Sequence, residues 1–462
     1  MVYDFDLIAI GSGSSGRSVA VKMKRQGWKT AIVEKDVETH FGGTCINTGC
    51  IPTKALLEEI KKSGSFEKAK EYKQKIVERI NKGTLRSTRD KIGVDVIDGF
   101  AAFVDDHTIE VNGVKHTSDI IVIATGSESA VPPVKGLAEV DFVTSLEMLN
   151  IEKPPKELLI IGGGRIGLEI AWMLNSLGTK ITVFEGMNQI LPGEDKEITE
   201  LMEEYLISNG IKIFKGRFVD EVSQIDVEGK NLFRIHLNDG ENKGVYTGDM
   251  LLVATGRIPR TSKLNLVNTT VKLNRSAIDV DDYFQSSAAN IFAIGDAIGN
   301  PMFTNWAGYH AIIVAANLSK SRIKSEDWKP LISRNIPKLT FIDPELASVG
   351  LTENEARAKY GDDVVVYKFM NKWLGKSMIV DDWDGVLKGI GLKGSNEILG
   401  VHLWGVRTGS LIQTLILAMD NGLGWSHVEE MIYGHPILAE GIHSLALNMK
   451  NLTKVETLAP TM

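Results

Sequence analysis

This chain of 462 residues contains only two cysteines, Cys45 and Cys50, five positions apart in GGTCINTGCIPTK. In a regular helix five residues rise about 7.5 Å, at roughly 1.5 Å each, beyond the usual disulfide Cα separation of roughly 4.4–6.8 Å. A bridge between the two therefore requires a distorted turn. Asn47 and Gly49 permit one, and Pro52 fits the first turn of a following helix. Thiolates at such a helix start have depressed pKa values, which suits reversible thiol–disulfide exchange. A structural zinc usually takes four ligands; there is no third Cys and His40 is a poor completion, so no metal is expected. Inert core thiols are equally out of place on a polar loop built from GGT and NTG.

The elements that position this pair come from a duplication. One apolar strand-like run, FDLIAIGSGSSG, ends in Gly11, Gly13 and Gly16; another, ELLIIGGGRIG, ends in Gly162, Gly164 and Gly167 and leads into the helix-like LEIAWMLNSLG. A second strand follows each, TAIVE reaching Glu34 and KITVFE reaching Glu185, so that each acid stands 18 residues past the third glycine. That is near the spacing of about 20 residues found in dinucleotide-binding βαβ units. The glycines let the backbone approach a pyrophosphate at a helix N-terminus, where the dipole and free N–H groups favour anions, and the acid accepts from a ribose hydroxyl. The duplication continues in IIVIATGS and MLLVATGR, each a buried strand running into a glycine turn, at Thr125–Gly126 and at Gly256.

Between fingerprint and closing strand, DVIDGFAAFV with TIEVNG, and RFVDEVSQIDV with NLFRIHLNDG, fit antiparallel hairpins inserted in each unit. The Lys- and Glu-rich stretch 54–92 reads as a solvated helix pair. From about residue 335, LTFIDPELASVG, DVVVYKFM, GVLKGIGL and ILGVHLWGV read as a mostly antiparallel sheet, with helices at TENEARAKY, TGSLIQTLILAMDNG and ILAEGIHSLALNM. The expected fold is α/β, with two Rossmann-like dinucleotide-binding domains and a C-terminal α+β domain. The expected divisions are 1–147 with 270–334, then 148–269, then 335–462. A net charge of -7 leaves no basic surplus for nucleic acid or an anionic membrane. No run of 18 apolar residues is present, and the acid-bearing start lacks the basic n-region of a signal peptide. A soluble cytoplasmic protein with a small-molecule partner is expected.

Taken together, the two fingerprints, GGTCINTGCIPTK, NIFAIGD and HPILAE resemble the class I flavin-dependent pyridine nucleotide disulfide oxidoreductases over nearly the whole chain. The resemblance implies FAD and NAD as cofactors and a homodimer. It implies that Gly11, Gly13, Gly16 and Glu34 bind the ADP half of FAD, with Gly43, Thr44, Thr125 and Gly126 in the same site and Asp296 at the flavin end. Gly162, Gly164, Gly167 and Glu185, with Gly256, would serve the nicotinamide dinucleotide. Cys45 would be the interchange thiol and Cys50 the thiol against the flavin, with Lys54 near the flavin and paired with Glu169. His435 and Glu440 would be the acid–base pair, given across a dimer interface to the partner's disulfide. Pro436 as the first residue of a helix would leave His435 at its cap and Glu440 a turn later.

NADPH-dependent relatives generally carry bases where Glu185 stands. An acid there repels a 2′-phosphate, and FEGMNQILPGE has no neighbouring Arg, so NAD(H) is expected. The tail TLAPTM lacks the vicinal cysteines of mercuric reductases. The resemblance therefore points to dihydrolipoamide dehydrogenase, acting on a small dithiol/disulfide or a lipoyl domain. Tyr433, Ile437 and Ala439 depart from that branch's HxHPTLSE, and IPTK with SLIQTLILAM resembles the mycothione reductase branch. Glutathione reductases, NADH oxidases and flavoprotein scaffolds that keep the fold are the further alternatives.

Overall fold

The computed structural model describes residues 2–238, 243–332 and 335–454. The Asp239–Gly240 end of one expected hairpin, the 334/335 boundary and the TLAPTM tail touch or lie outside these residues. The described chain forms two compact units, one from Met1–Pro132, Val143–Pro154 and Thr255–Ile332, the other from Pro133–Phe142, Pro155–Ala254 and Ser333–Met462.

The first unit opens with β1 (Phe5–Ile10), α1 (Ser14–Arg25) and β2 (Thr30–Glu34), followed by α2 (Gly43–Asn47), α3 (Cys50–Ser63) and α4 (Phe66–Arg86). Then come β3 (Asp95–Asp98), β4 (Ala101–Asp105), β5 (Thr108–Val111) and β6 (Val114–Ile123). β3, β2, β1 and the second half of β6 run parallel in that order, while the first half of β6 pairs antiparallel with β5, and β5 with β4. The expected hairpin over DVIDGFAAFV is thus divided: Asp95–Asp98 joins the parallel sheet and only Ala101–Asp105 enters the hairpin. Gly99, at φ +135°, makes the break between them. Leu7 and Ala9 of β1 pack on one face, Ile8 and Ile10 on the other, all buried. A strand covered on both faces needs no polar alternation, which is why FDLIAI is nearly all apolar.

In the second unit β7 (Glu157–Ile161), α5 (Arg165–Asn175), β8 (Lys180–Glu185), α6 (Lys196–Ser208) and β9 (Lys212–Lys215) repeat the βαβ pattern. β10 (Glu221–Val227), β11 (Lys230–Asn238) and β12 (Lys243–Gly248) form the antiparallel insertion, and β13 (Met250–Val253) closes a parallel sheet ordered β9-β8-β7-β13. The duplication holds to single hydrogen bonds. Ala124 N donates to Ile10 O at 2.9 Å, and Ala254 N donates to Ile161 O at 2.8 Å.

The chain then returns to the first unit with β14 (Ile291–Ala293), parallel to β6, and α7 (Thr304–Leu318), whose Ala311 and Val314 share a core with Val19 and Met23 of α1. The C-terminal part of the second unit contains β15 (Lys338–Thr340), β16 (Glu345–Gly350), α8 (Glu353–Tyr360), β17 (Val364–Met370), β18 (Val386–Leu392) and β19 (Gly400–Gly405). It ends with α9 (Thr408–Asp420), α10 (Trp425–Glu429) and α11 (Glu440–Thr453). Its five strands pair antiparallel in the order β15-β16-β19-β18-β17. Among the described residues no helix is long and apolar enough to cross a membrane, and no group of three His, Cys, Asp or Glu could hold a metal ion.

Candidate active site

Both fingerprints make the same backbone cradle. A Cβ on Gly16 would stand 2.2 Å from Gly11 O, and one on Gly167 would stand 2.1 Å from Gly162 O, so the third glycine is fixed by close helix–strand packing. Gly13 and Gly164, which cap α1 and α5, have nothing within 4 Å of such a Cβ and leave each helix N-terminus open. The two acids are held alike. Glu34 accepts from Ser12 N at 3.0 Å and Lys35 N at 3.0 Å; Glu185 accepts from Gly163 N at 2.7 Å and Met187 N at 2.7 Å. A carboxylate has about four acceptor positions, so each retains capacity for a ligand hydroxyl.

In the first unit a cleft of about 1080 Å³, partly open to solvent, is lined by Gly11, Gly13, Glu34, Gly43, Thr44, Cys45, Thr125, Gly126 and Asp296. Gly43 presses on the fingerprint, because a Cβ there would lie 2.7 Å from Gly13 Cα. Lys35, His40, Arg260 and Lys263 line the same cleft. Burial, and then the Lys35 charge, push the His40 imidazole below its ordinary value. The open helix end, the glycines and the charges of Lys35, Arg260 and Lys263 suit a dinucleotide pyrophosphate.

Cys45 sits within α2 and Cys50 opens α3. Thr48 and Gly49 between them are non-helical, with φ/ψ of -143°/19° and -141°/-111°. This is the distorted turn that the five-residue spacing demands. The two cysteines are not joined by a disulfide here and are hydrogen-bonded to each other. The expectation of depressed pKa values fails for Cys45. Its hydrogen bond with Cys50, then burial and the charge on Cys50, push the Cys45 thiol far up, against weaker downward pulls from Thr304 and Lys54. Of the two, only Cys50 stands at the start of a long helix.

Asp296 accepts from Ser127 Oγ at 2.5 Å, and Arg257 donates from Nε to Ser127 Oγ and from an Nη to Ser127 O, each at 2.7 Å. Ser127 and Arg257 escaped the sequence reading, although each directly follows a matched turn glycine, Gly126 or Gly256. The two closing turns are joined antiparallel, with Pro259 opposite Ser127 and Arg257 opposite Ser129. Thr304 also escaped it; its hydroxyl lies 3.6 Å from Cys50 Sγ.

In the second unit Glu169 is buried on α5 and accepts from Phe341 N at 2.9 Å. Arg165, within the fingerprint, is ion-paired with buried Glu194, which also accepts from Ser348 Oγ at 2.5 Å. The stretch FEGMNQILPGE holds no Arg. Arg217 N donates to Glu185 O at 3.3 Å, brought there by β9 rather than by the residues following the acid. Next to it Phe218, 76% exposed, covers Gly186, where a Cβ would come 2.4 Å from the ring.

His435 Nδ1 lies 2.9 Å from Glu440 Oε1, and Glu440 Oε2 accepts from Ile437 N at 2.8 Å. These hydrogen bonds, His435 first, hold the Glu440 carboxyl below its ordinary value. The expected pair thus meets, but not as a capped helix. The His435–Pro436 peptide is cis, and α11 starts only at Glu440 with Ala439 as its cap. His435 stands on the preceding loop with its side chain 82% exposed. Tyr433, at a place where the sequence departs from the dihydrolipoamide branch, donates its hydroxyl to Val428 O at 2.8 Å; burial pushes it up to about 12.

Residues 5–311 match the family described as pyridine nucleotide-disulphide oxidoreductase, and residues 336–446 match its dimerisation domain. The chain belongs to the pyridine nucleotide-disulphide oxidoreductase family. It is 32% identical to the probable pyridine nucleotide-disulfide oxidoreductase RclA of Escherichia coli (strain K12), over 96% of this chain and 98% of that protein. It is also 32% identical to a mercuric reductase of Staphylococcus aureus (99% of this chain, 84% of the relative) and to a dihydrolipoyl dehydrogenase of Bacillus subtilis (strain 168) (97% and 98%). A solved structure of RclA, described as an HOCl-induced flavoprotein disulfide reductase, superposes with a TM-score of 0.88 at 31% identity, covering 96% of this chain and 99% of that one. Family members depend on FAD and a nicotinamide dinucleotide, and the two cradles fit two such groups.

Proposed function

We propose that this protein is an NAD(H)-linked disulfide oxidoreductase working through Cys45 and Cys50, with dihydrolipoamide as its dithiol. The observation that supports it most is that Cys45 and Asp296 share one cleft with the Gly11–Gly13 cradle. On this reading Gly11, Gly13, Gly16 and Glu34 hold the ADP half of FAD, with Gly43, Thr44, Thr125 and Gly126, and Asp296 faces its flavin end. Gly162, Gly164, Gly167, Glu185 and Gly256 serve NAD, and Lys54 pairs with Glu169. The domains are 1–147 with 270–334 for FAD, 148–269 for NAD and 335–462 for a cytoplasmic homodimer.

Bound FAD supplies a two-electron carrier between the nicotinamide and the protein dithiol. From the reduced pair, Cys45 attacks one sulfur of a substrate disulfide, forming a mixed disulfide and releasing one substrate thiol. Cys50 then attacks Cys45, which releases the second substrate thiol and leaves a Cys45–Cys50 disulfide. Cys45 attacks as a thiolate and so needs a base, and the leaving sulfur needs an acid. His435, oriented by Glu440, supplies both from the partner subunit. Run backwards, the same steps oxidise dihydrolipoamide.

A second reading, a small-disulfide or oxidant-stress reductase of the RclA kind, is favoured by Tyr433. That side chain is tied to Val428 where dihydrolipoamide enzymes commonly carry histidine. Anaerobic kinetics with NADH and NADPH against lipoamide, glutathione, mycothiol, coenzyme A and cystine disulfides separate the readings. NADH with lipoamide should give the highest kcat/KM. NADPH equal or better would overturn the NAD(H) assignment, and no turnover of any disulfide would overturn the proposal.

A further inference from the structure

Helix α1 carries a second feature besides its glycine-capped start. Arg17, Val21 and Arg25 recur every fourth residue and so form one stripe, each about 6 Å further along the axis at roughly 1.5 Å per residue. This stripe, flanked by Lys22, faces a π-helical turn, Ser87–Ile92, that continues α4, and the two wall an open groove in the first unit. Such turns are rare and are found frequently at functional sites. Here the turn sets buried Thr88 against Arg17. The guanidinium donates from Nε to Thr88 Oγ1 at 2.7 Å, and Thr88 donates in turn to Thr84 O at 2.7 Å. One nitrogen of Arg17 is thereby fixed, and its two Nη groups remain as donors for another acceptor.

The groove is lined by Arg17, Lys22 and Arg25 and by no carboxylate. Burial, and then the charge of Arg25, push the Arg17 guanidinium below its ordinary value, and no acid acts on it in the other direction. Asp90, the acid of the π-helical turn, lies 2.8 Å from Arg89 Nε and is paired there. In a chain of net charge -7, three cations gathered without an acid repel one another and lose hydration, costs that a seated anion offsets. Guanidinium forks match phosphate oxygens bidentately, and two forks about 12 Å apart along one stripe can close on a ligand from both ends. We propose that the groove between α1 and Ser87–Ile92 binds a di- or polyphosphate anion, gripped by Arg17 and Arg25 with Lys22 as the third cation. It shares no lining residue with the cleft at Gly11 and Gly13, and the assignment does not depend on the redox reading.

The test uses the full chain loaded with flavin and saturated with NAD, so that both glycine cradles are filled. Titration calorimetry with inorganic pyrophosphate should show a further site on each chain. Pyrophosphate should also protect Arg17 and Arg25 from phenylglyoxal, read residue by residue by mass spectrometry. Arg25→Gln, at the exposed end of α1, should weaken pyrophosphate roughly 10- to 100-fold, the worth of a hydrogen bond to a charged group, and Arg17→Gln by a similar factor. Arg17→Lys, which keeps the charge without the fork, should fall between. Because Arg17 adjoins Gly16, Arg25→Gln and Lys22→Gln carry the test if Arg17→Gln purifies without flavin. ADP displacing pyrophosphate would identify the anion as the end of a nucleotide, and ADP leaving it in place would identify a free polyphosphate; either supports the groove. No binding of pyrophosphate, protection of other arginines only, or unchanged affinity in Arg25→Gln would overturn the proposal, and inorganic phosphate binding as tightly as pyrophosphate would overturn the polyphosphate assignment.

Discussion

The two fingerprint units share a backbone and differ at almost every position where a side chain could act. Ser12, between the first two glycines of the first unit, ties the loop together: its hydroxyl donates to Glu34 at 2.6 Å and accepts from Gly42 N at 2.8 Å, joining the acid to the segment that leads into the cysteines. Gly163 occupies that place in the second unit, and the acid closes directly on it, with a Cβ there only 3.1 Å from Glu185 Cβ. After its acid the first unit inserts α2 and α3 with the dithiol, whereas the second turns through Gly186 under Phe218. Glycine spacing thus sets the dinucleotide cradle, and the residues between and after the glycines decide what each cradle is next to.

The largest expected effects come from breaking each cradle in turn. Gly16→Ala and Gly167→Ala create the same clash, with a carbonyl oxygen 2.2 and 2.1 Å from the new Cβ. Gly16→Ala should purify without flavin and without disulfide turnover. Gly167→Ala should retain flavin but lose its reduction by NADH. Flavin content and anaerobic reduction rates check both, and identical behaviour of the two variants would end the division of labour.

Next in size, His435→Ala should lose roughly 10²–10⁴-fold in disulfide turnover, with flavin reduction by NADH near normal. Equal loss in both half-reactions would remove the histidine from proton transfer. Mixing Cys45→Ser with His435→Ala subunits should restore activity in verified heterodimers, at one intact site of two.

The smallest effect concerns stability and an ion cluster of the second unit. Lys388, 1% exposed on β18, reaches Asp195 at 2.8 Å, Glu197 at 3.0 Å and Glu353 at 2.7 Å, tying the start of α6 to the C-terminal sheet. Lys388→Met leaves these carboxylates without their shared cation and should cost roughly 3 kcal/mol, the lower end for a broken buried pair, because Glu197 and Glu353 reach solvent. Burial raises the three carboxyls, but hydrogen bonds outweigh it, from Lys388 first at Asp195 and Glu353 and from Lys368 and then Lys388 at Glu197, so all three lie below their ordinary values of 3.8 and 4.5. The stabilisation is therefore complete above those values and is lost as pH falls through the lower folded-state ones. The gap between wild type and Lys388→Met in chemical denaturation should shrink below about pH 4. A constant gap would mean the cluster is not the cause.

Local patterns made the cradles legible. Three glycines and an acid at fixed spacing specify a turn, a helix start and a strand end, and the structure repeats them down to the hydrogen bonds of Ala124 and Ala254. Cys45 and Cys50 were legible for the same reason, since a short spacing forces a turn. Contacts made by distant segments were not. Ser127 with Arg257, Thr304 with Cys50, and Arg217 beside Glu185 all depend on strand pairing or helix docking across long separations, and no local spacing encodes them. The Pro436 reading failed because a proline suits a helix start only where the helix follows at once; Glu440 caps its own loop by accepting from Ile437 N, and the helix begins four residues later.

The measurement that bears most directly on the redox pair beside the first cradle is anaerobic titration of the flavin-loaded protein with NADH, followed by absorbance. Two-electron reduction should produce a long-wavelength thiolate charge-transfer band. Cys45→Ser should show that band persistently without reductant, and Cys50→Ser should never show it. The band vanishing in Cys45→Ser and surviving in Cys50→Ser would reverse the two thiols, and its absence from every form would contradict the dithiol as the electron carrier.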